Sequence, residues 1–187
     1  MIIYVHSYDM FDAGSTWGRH RGVGDVSQIV LQQHDTVATM VQRITAAARN
    51  ERSIYTLIIN AHGLTDAAGT PLGEISLSDD AVLSPPAALQ MAPLRRFFSS
   101  PCNGLELHSC QVLQAREGWH LCQVLARELR VNVFASMALQ RGVSPWYSST
   151  PSDTRGRFEG TTMRFNPDGS YVNAMPELRA RDLHSAS

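Results

Sequence analysis

Apolar residues along the chain gather in short β-rich blocks separated by stretches of helical spacing. Residues 1–6, 26–31 and 54–60 read as strands, and the last of these, IYTLIIN, is apolar enough to be buried on both faces. Ahead of it, Val37, Met40, Val41, Ile44 and Ala48 recur at helical spacing behind Asp35, a residue type suited to the N-cap. Residues 105–108 (LELH) form another short apolar block. Residues 117–130 then place Leu121, Val124, Leu125 and Leu129 on one helical face, and 131–135 (VNVFA) follow directly as a strand. That succession predicts a β-α-β unit.

Other stretches are less regular. Residues 7–25 read as a long surface segment around Trp17, and 61–73 as a Gly, Asp, Thr and Pro-rich loop before a short strand at 74–77. Pro85, Pro86 and Pro93 punctuate a helical stretch whose best turn is 94–98, with Pro93 at its first position. Asn-Pro-Asp-Gly at 166–169 lies between two alternating runs and predicts a β-hairpin over 161–172. Residues 176–187 show no pattern and predict a frayed tail.

Strands alternating with helices predict an α/β fold: a three-layer sandwich, its sheet mainly parallel and flanked by helices, closed by a C-terminal β-hairpin. No repeat or linker divides residues 1–187, so one domain is expected, and 43% hydrophobic residues can fill its core.

Composition then removes whole mechanisms. All sixteen basic residues are Arg. Without Lys there is no phosphate-loop lysine, no Schiff base and no lysine general base. A net charge of −1 lacks the basic excess of a nucleic-acid-binding surface. Three cysteines, Cys102, Cys110 and Cys122, are too few and too odd in number for a disulfide framework, and read as reduced thiols. The N-terminus has no basic region before its four-residue apolar run, and no apolar stretch reaches bilayer length. A cytoplasmic protein with no membrane partner is the expectation, with export by a route that leaves no removable signal as the exception.

In an open parallel sheet, functional residues sit just past the C-terminal ends of strands. Two such places carry chemistry: Ala61-His62-Gly63 after LIIN, and Ser109-Cys110 after LELH. A thiolate is a strong nucleophile, and a neighbouring imidazole can activate it and then protonate the leaving group. Gly63 permits close backbone approach, so its N–H and that of Cys110 are candidate donors to a developing oxyanion. Taken singly, a cysteine ending a strand is most often a small buried hydrophobe, and a His-Gly pair is most often a turn. The two together, in the order His then Cys, carry the argument.

LIINAHG at 57–63 and LELHSC at 105–110, with 48 residues from His62 to Cys110, resemble the caspase-like cysteine peptidases of clan CD, which include caspases, metacaspases, gingipains and CHAT-type domains. The resemblance implies a caspase-like fold with His62 as general acid/base, Cys110 as nucleophile and the Gly63 and Cys110 N–H groups at the oxyanion. It also implies a protein or peptide substrate and no cofactor or metal. The position two before the nucleophile lines the primary specificity pocket in that group. Here it is His108, which matches neither the Gln of caspases nor the Asp frequent in metacaspases. The resemblance assigns the pocket's other wall to residues 136–147, with Ser136, Arg141 and Trp146 as candidates. Some members cleave after Lys or Arg, so self-processing of this chain would fall at an Arg, with Arg19, Arg21, Arg155 and Arg157 in expected loops.

Three alternatives compete. His108-Ser-Cys110 and His120-Leu-Cys122 repeat an H-x-C pattern that would supply four zinc ligands, but helical spacing turns His120 and Cys122 about 200° apart. An α/β-hydrolase needs a G-x-S-x-G or G-x-C-x-G elbow, which Gln111 and Val112 after Cys110 do not provide. A catalytically inactive caspase-like module, acting as an adaptor or binding domain, is the third.

Overall fold

The computed structural model describes residues 1–9, 26–51, 53–100, 102, 104–138 and 160–174. Its centre is a seven-stranded mixed sheet in the order β10-β9-β8-β7-β3-β1-β2. Five strands are parallel: β1 (Ile2–His6), β2 (Val26–Val30), β3 (Thr56–Asn60), β7 (Gly104–His108) and β8 (Val133–Ser136). The hairpin β9 (Thr162–Phe165) and β10 (Tyr171–Asn173) adds the antiparallel edge. Every residue of β1 and β3 is buried, as their unbroken apolar runs require. The hairpin turns at Asn166–Gly169, where Gly169 takes a φ of 87° that favours glycine.

Among the described residues, three α-helices pack against the sheet. In α1 (Val37–Glu51), Met40, Ile44 and Ala48 reach zero exposure. In α3 (Arg116–Leu129), Leu121, Leu125 and Leu129 do the same work, and Val124 packs partly buried beside them. Between them, α2 (Pro85–Ala88) runs into a 3-10 segment over Leu89–Phe97. Their apolar residues join Ile3, Val5, Leu57, Ile59, Leu105 and Leu107 in one cluster, so the described helices share the sheet face formed by these alternate positions. The opposite face is buried too, through Tyr4, Ile58, Glu106 and Phe134. No described helix is long and apolar enough to cross a membrane.

The α/β class, the mainly parallel sheet and the C-terminal hairpin follow the expectation. Three local features differ from it. The expected loop at 61–73 is largely strand: β4 (His62–Thr65), β5 (Pro71–Ser78) and β6 (Ala81–Leu83) form a separate antiparallel sheet. Its polar residues do not interrupt it, because Asp66 tightens the first turn by accepting from the Ala68 and Thr70 N–H groups. The α1 N-cap is Thr36, whose Oγ1 accepts the Thr39 N–H at 3.1 Å. Asp35 is instead engaged by Arg43 and the Gln32 N–H, both at 2.8 Å. Finally, Pro93 lies inside the 3-10 segment and Pro85 opens the helical stretch behind Ser84, since a 3-10 path tolerates a proline that α geometry resists.

Candidate active site

Three central strands each end an apolar run on a polar residue, and register aligns them: His6 pairs with Asn60, and Asn60 with His108. One step past the Leu107–Ala135 pairing, Ser136 continues the row on β8. The chain leaves this edge at two adjacent points. Ala61 donates to the His108 carbonyl at 3.4 Å as β3 gives way to β4, and His62 and Gly63 open β4. Beside it, β7 gives way to Ser109 and Cys110.

The two exits touch through their backbones. A β-carbon built on Gly63 would overlap the Cys110 carbonyl oxygen and lie 3.1 Å from its carbon, so only glycine fits there. His62 and Cys110, 48 residues apart in the sequence, are thereby neighbours at the C-terminal edge. Immediately after Cys110 the chain turns sharply. Gln111 adopts the left-handed conformation at φ 54°, and its N–H donates to the Ala138 carbonyl at 3.0 Å. A non-glycine residue in that region stores on the order of 1 kcal/mol and is held there by its surroundings. The 3-10 turn at Val112–Gln114 and then α3 follow, so Cys110 stands several residues before the α3 N-terminus and gains little from its dipole.

Cys110 is half-buried, in contrast to Cys122, which is fully buried on the core side of α3. Burial pushes the Cys122 thiol far up from its ordinary value, and also raises that of Cys102. His62 is half-exposed, with Nε2 3.5 Å from the Asp9 carboxylate just past β1. Asp9 accepts from the Ser7 hydroxyl at 2.7 Å through its other oxygen.

His108 is mostly enclosed. Its Nε2 lies 2.9 Å from Oε2 of Glu106, whose side chain is completely buried on the same sheet face. A carboxyl group enclosed this completely needs polar partners, and the His108 imidazole is one of them. Along the same edge His6 is buried, stacked on Tyr4 with ring centroids 6.1 Å apart, and its Nδ1 lies 3.4 Å from the Asn60 amide nitrogen. Burial pushes the His6 imidazole down to about 4, so it is neutral at pH 7. Ser136 is buried with its hydroxyl receiving the Ala138 N–H at 3.1 Å and lying 3.4 Å from the Thr161 carbonyl.

The structure therefore brings His62, Gly63, Cys110, His108 and Ser136 to one end of the sheet. Arg141, Trp146 and the four arginines of the expected processing loops, Arg19, Arg21, Arg155 and Arg157, lie outside the described residues, as does the expected tail at 176–187. The four residues of the zinc alternative do not gather: His120 is exposed, Cys122 faces the core, and His108 is engaged by Glu106. Among the described residues no three His, Cys, Asp or Glu side chains are placed to hold a metal ion. Sequence reasoning passed over Asp9, Glu106, His6 and Asn60. The signal for the last two was present, since IIYVH and LIIN both end an apolar strand on a polar residue. Comparison with protein-family models, with curated proteins and with solved structures finds no match.

Proposed function

We propose that the chain is a cysteine peptidase of caspase-like type, with Cys110 as nucleophile and His62 as general acid/base. The observation that carries this reading is the contact of Gly63 with the Cys110 backbone, which joins the His-Gly exit of β3 to the Cys exit of β7. The strained turn at Gln111, directly behind the thiol, supports it further.

In this mechanism His62 takes the Cys110 thiol proton, and the sulfur attacks the substrate carbonyl carbon. The tetrahedral oxyanion accepts hydrogen bonds from the Gly63 and Cys110 N–H groups. The C–N bond then breaks, His62 protonates the departing amine, and a thioester remains on Cys110. Water, deprotonated by His62, attacks that thioester and releases the acid and the thiol. The substrate is a protein or peptide, and His108 and Ser136, at the same sheet edge, border the site that receives the side chain before the scissile bond. No step calls for a metal or cofactor.

A peptide-library digest under reducing conditions tests the reaction itself. The wild-type chain cleaves after a restricted set of residues, and Cys110→Ala and His62→Ala each lower the rate by at least ~100-fold. Cleavage that persists at the wild-type rate in Cys110→Ala contradicts the reading. A chain that cleaves nothing while still binding library peptides identifies the inactive binding module instead.

A further inference from the structure

The exit of β1 is tied down residue by residue. The Ser7 N–H donates to the Asn60 carbonyl at 2.9 Å, which joins it to the end of β3. The Tyr8 hydroxyl donates to Oδ1 of Asp79 at 2.7 Å, and Oδ2 of the same carboxylate receives the Gln33 amide at 2.7 Å. These two hydrogen bonds hold the Asp79 carboxyl below the usual carboxylate range. They anchor the exit to the turn between β5 and β6, part of the small sheet that carries His62. Asp9 follows, its Oδ1 held by the Ser7 hydroxyl at 2.7 Å and its Oδ2 turned to His62 Nε2 at 3.5 Å.

We infer that Asp9 is a positioning residue for His62, completing an Asp9–His62–Cys110 arrangement in which Ser7 fixes the carboxylate. This rests on the proposed thiol chemistry and names a third participant in it. A carboxylate facing Nε2 favours the tautomer with its proton on Nε2, which leaves Nδ1 as the basic nitrogen for exchange with the thiol. A 3.5 Å separation is long for a hydrogen bond, but contacts of this kind tighten when substrate closes the site. An isolated exposed ion pair would contribute little to stability. The role assigned to Asp9 is therefore one of orientation, and its removal leaves the fold intact.

Three variants, Asp9→Ala, Asp9→Asn and Ser7→Ala, are compared by two readouts. The first is the 15N spectrum of the His62 ring at alkaline pH, where the ring is neutral and the spectrum reports which nitrogen bears the proton. The second is kcat and KM on the best library peptide. Asp9→Ala is expected to move His62 from the Nε2–H form toward a mixture and to lower kcat by roughly ten- to a hundredfold with KM little changed. Asp9→Asn, whose amide oxygen stays on Ser7, turns an NH2 donor toward Nε2, moves the His62 proton to Nδ1 and recovers neither readout. Ser7→Ala falls between wild type and Asp9→Ala. An unchanged His62 tautomer in Asp9→Ala, beside a working Cys110, overturns this inference alone. A wild-type chain in which Cys110 neither reacts nor turns over overturns the thiol chemistry and this inference with it.

Discussion

His6 ends β1 with its imidazole buried against Tyr4 and close to the Asn60 amide. Burial lowers its pKa from 6.5 to about 4, so the folded chain refuses a proton that the unfolded chain accepts. The sign follows directly. Above pH 6.5 both states are neutral and the residue adds no pH dependence. As pH falls from 6.5 towards 4, only the unfolded state is protonated, and stability drops by up to ~3 kcal/mol. Urea unfolding of wild type and His6→Gln at pH 7 and pH 4.5 checks this. The wild-type midpoint is expected to fall more steeply between the two pH values than that of the variant. Equal losses in both would show that the burial of this ring does not govern acid sensitivity. Glu106 and His108 form the complementary case, a buried carboxylate matched by an imidazole one pleat further along β7. The His6–Asn60 contact was not legible in the sequence, because a single strand does not say what its polar residues meet across a sheet. The i, i+2 spacing of Glu106 and His108, by contrast, already puts both on one face of β7.

At the scale of elements, β4 does more than continue the chain from β3. Its second residue, Gly63, lies against the Cys110 carbonyl with no room for a β-carbon. Gly63→Ala must push the two exits apart. It is expected to destabilise the fold by about 1–3 kcal/mol and to abolish the reaction of Cys110 with substrate. A thermal melt and a turnover assay check both, and a variant with wild-type melting and rate would contradict the tight packing. The motif residues of this element were legible, since His-Gly after an apolar run stood out, but the strand itself was not. β4 is mostly exposed and contains no long apolar alternation, so hydrophobic periodicity has nothing to report there. The α1 cap was misplaced by one residue for a related reason: Asp35 and Thr36 both suit an N-cap, and Arg43 decides between them by engaging Asp35. By contrast α3 and the hairpin strands carry strong patterns, a buried stripe in one case and Asn-Pro-Asp-Gly in the other, and both appear where they were expected.

Across the whole molecule, the order β2-β1-β3-β7-β8 puts the exits of three successive central strands side by side. Two local motifs 48 residues apart meet at one sheet edge because β3 and β7 are neighbours in register, Asn60 beside His108. The α/β class and the mainly parallel sheet were legible from alternating strands and helices. Asp9 was not, since its approach to His62 depends on how Tyr8 and Ser7 are tied to other elements. The same arrangement sets Cys110 apart from the other two thiols. Cys122 is sealed in the core and Cys102 is partly buried, and burial raises both. Cys110 alone of the three stands beside a histidine-bearing exit.

The most direct measurement of that difference is alkylation with limiting iodoacetamide at neutral pH, the adducts mapped by peptide mass spectrometry in wild type and His62→Ala. Cys110 is expected to label at least ~10-fold faster than Cys102 and Cys122, and to lose most of that advantage when His62 is removed. Labelling of Cys110 no faster than Cys102, or a rate untouched by His62→Ala, would contradict the account.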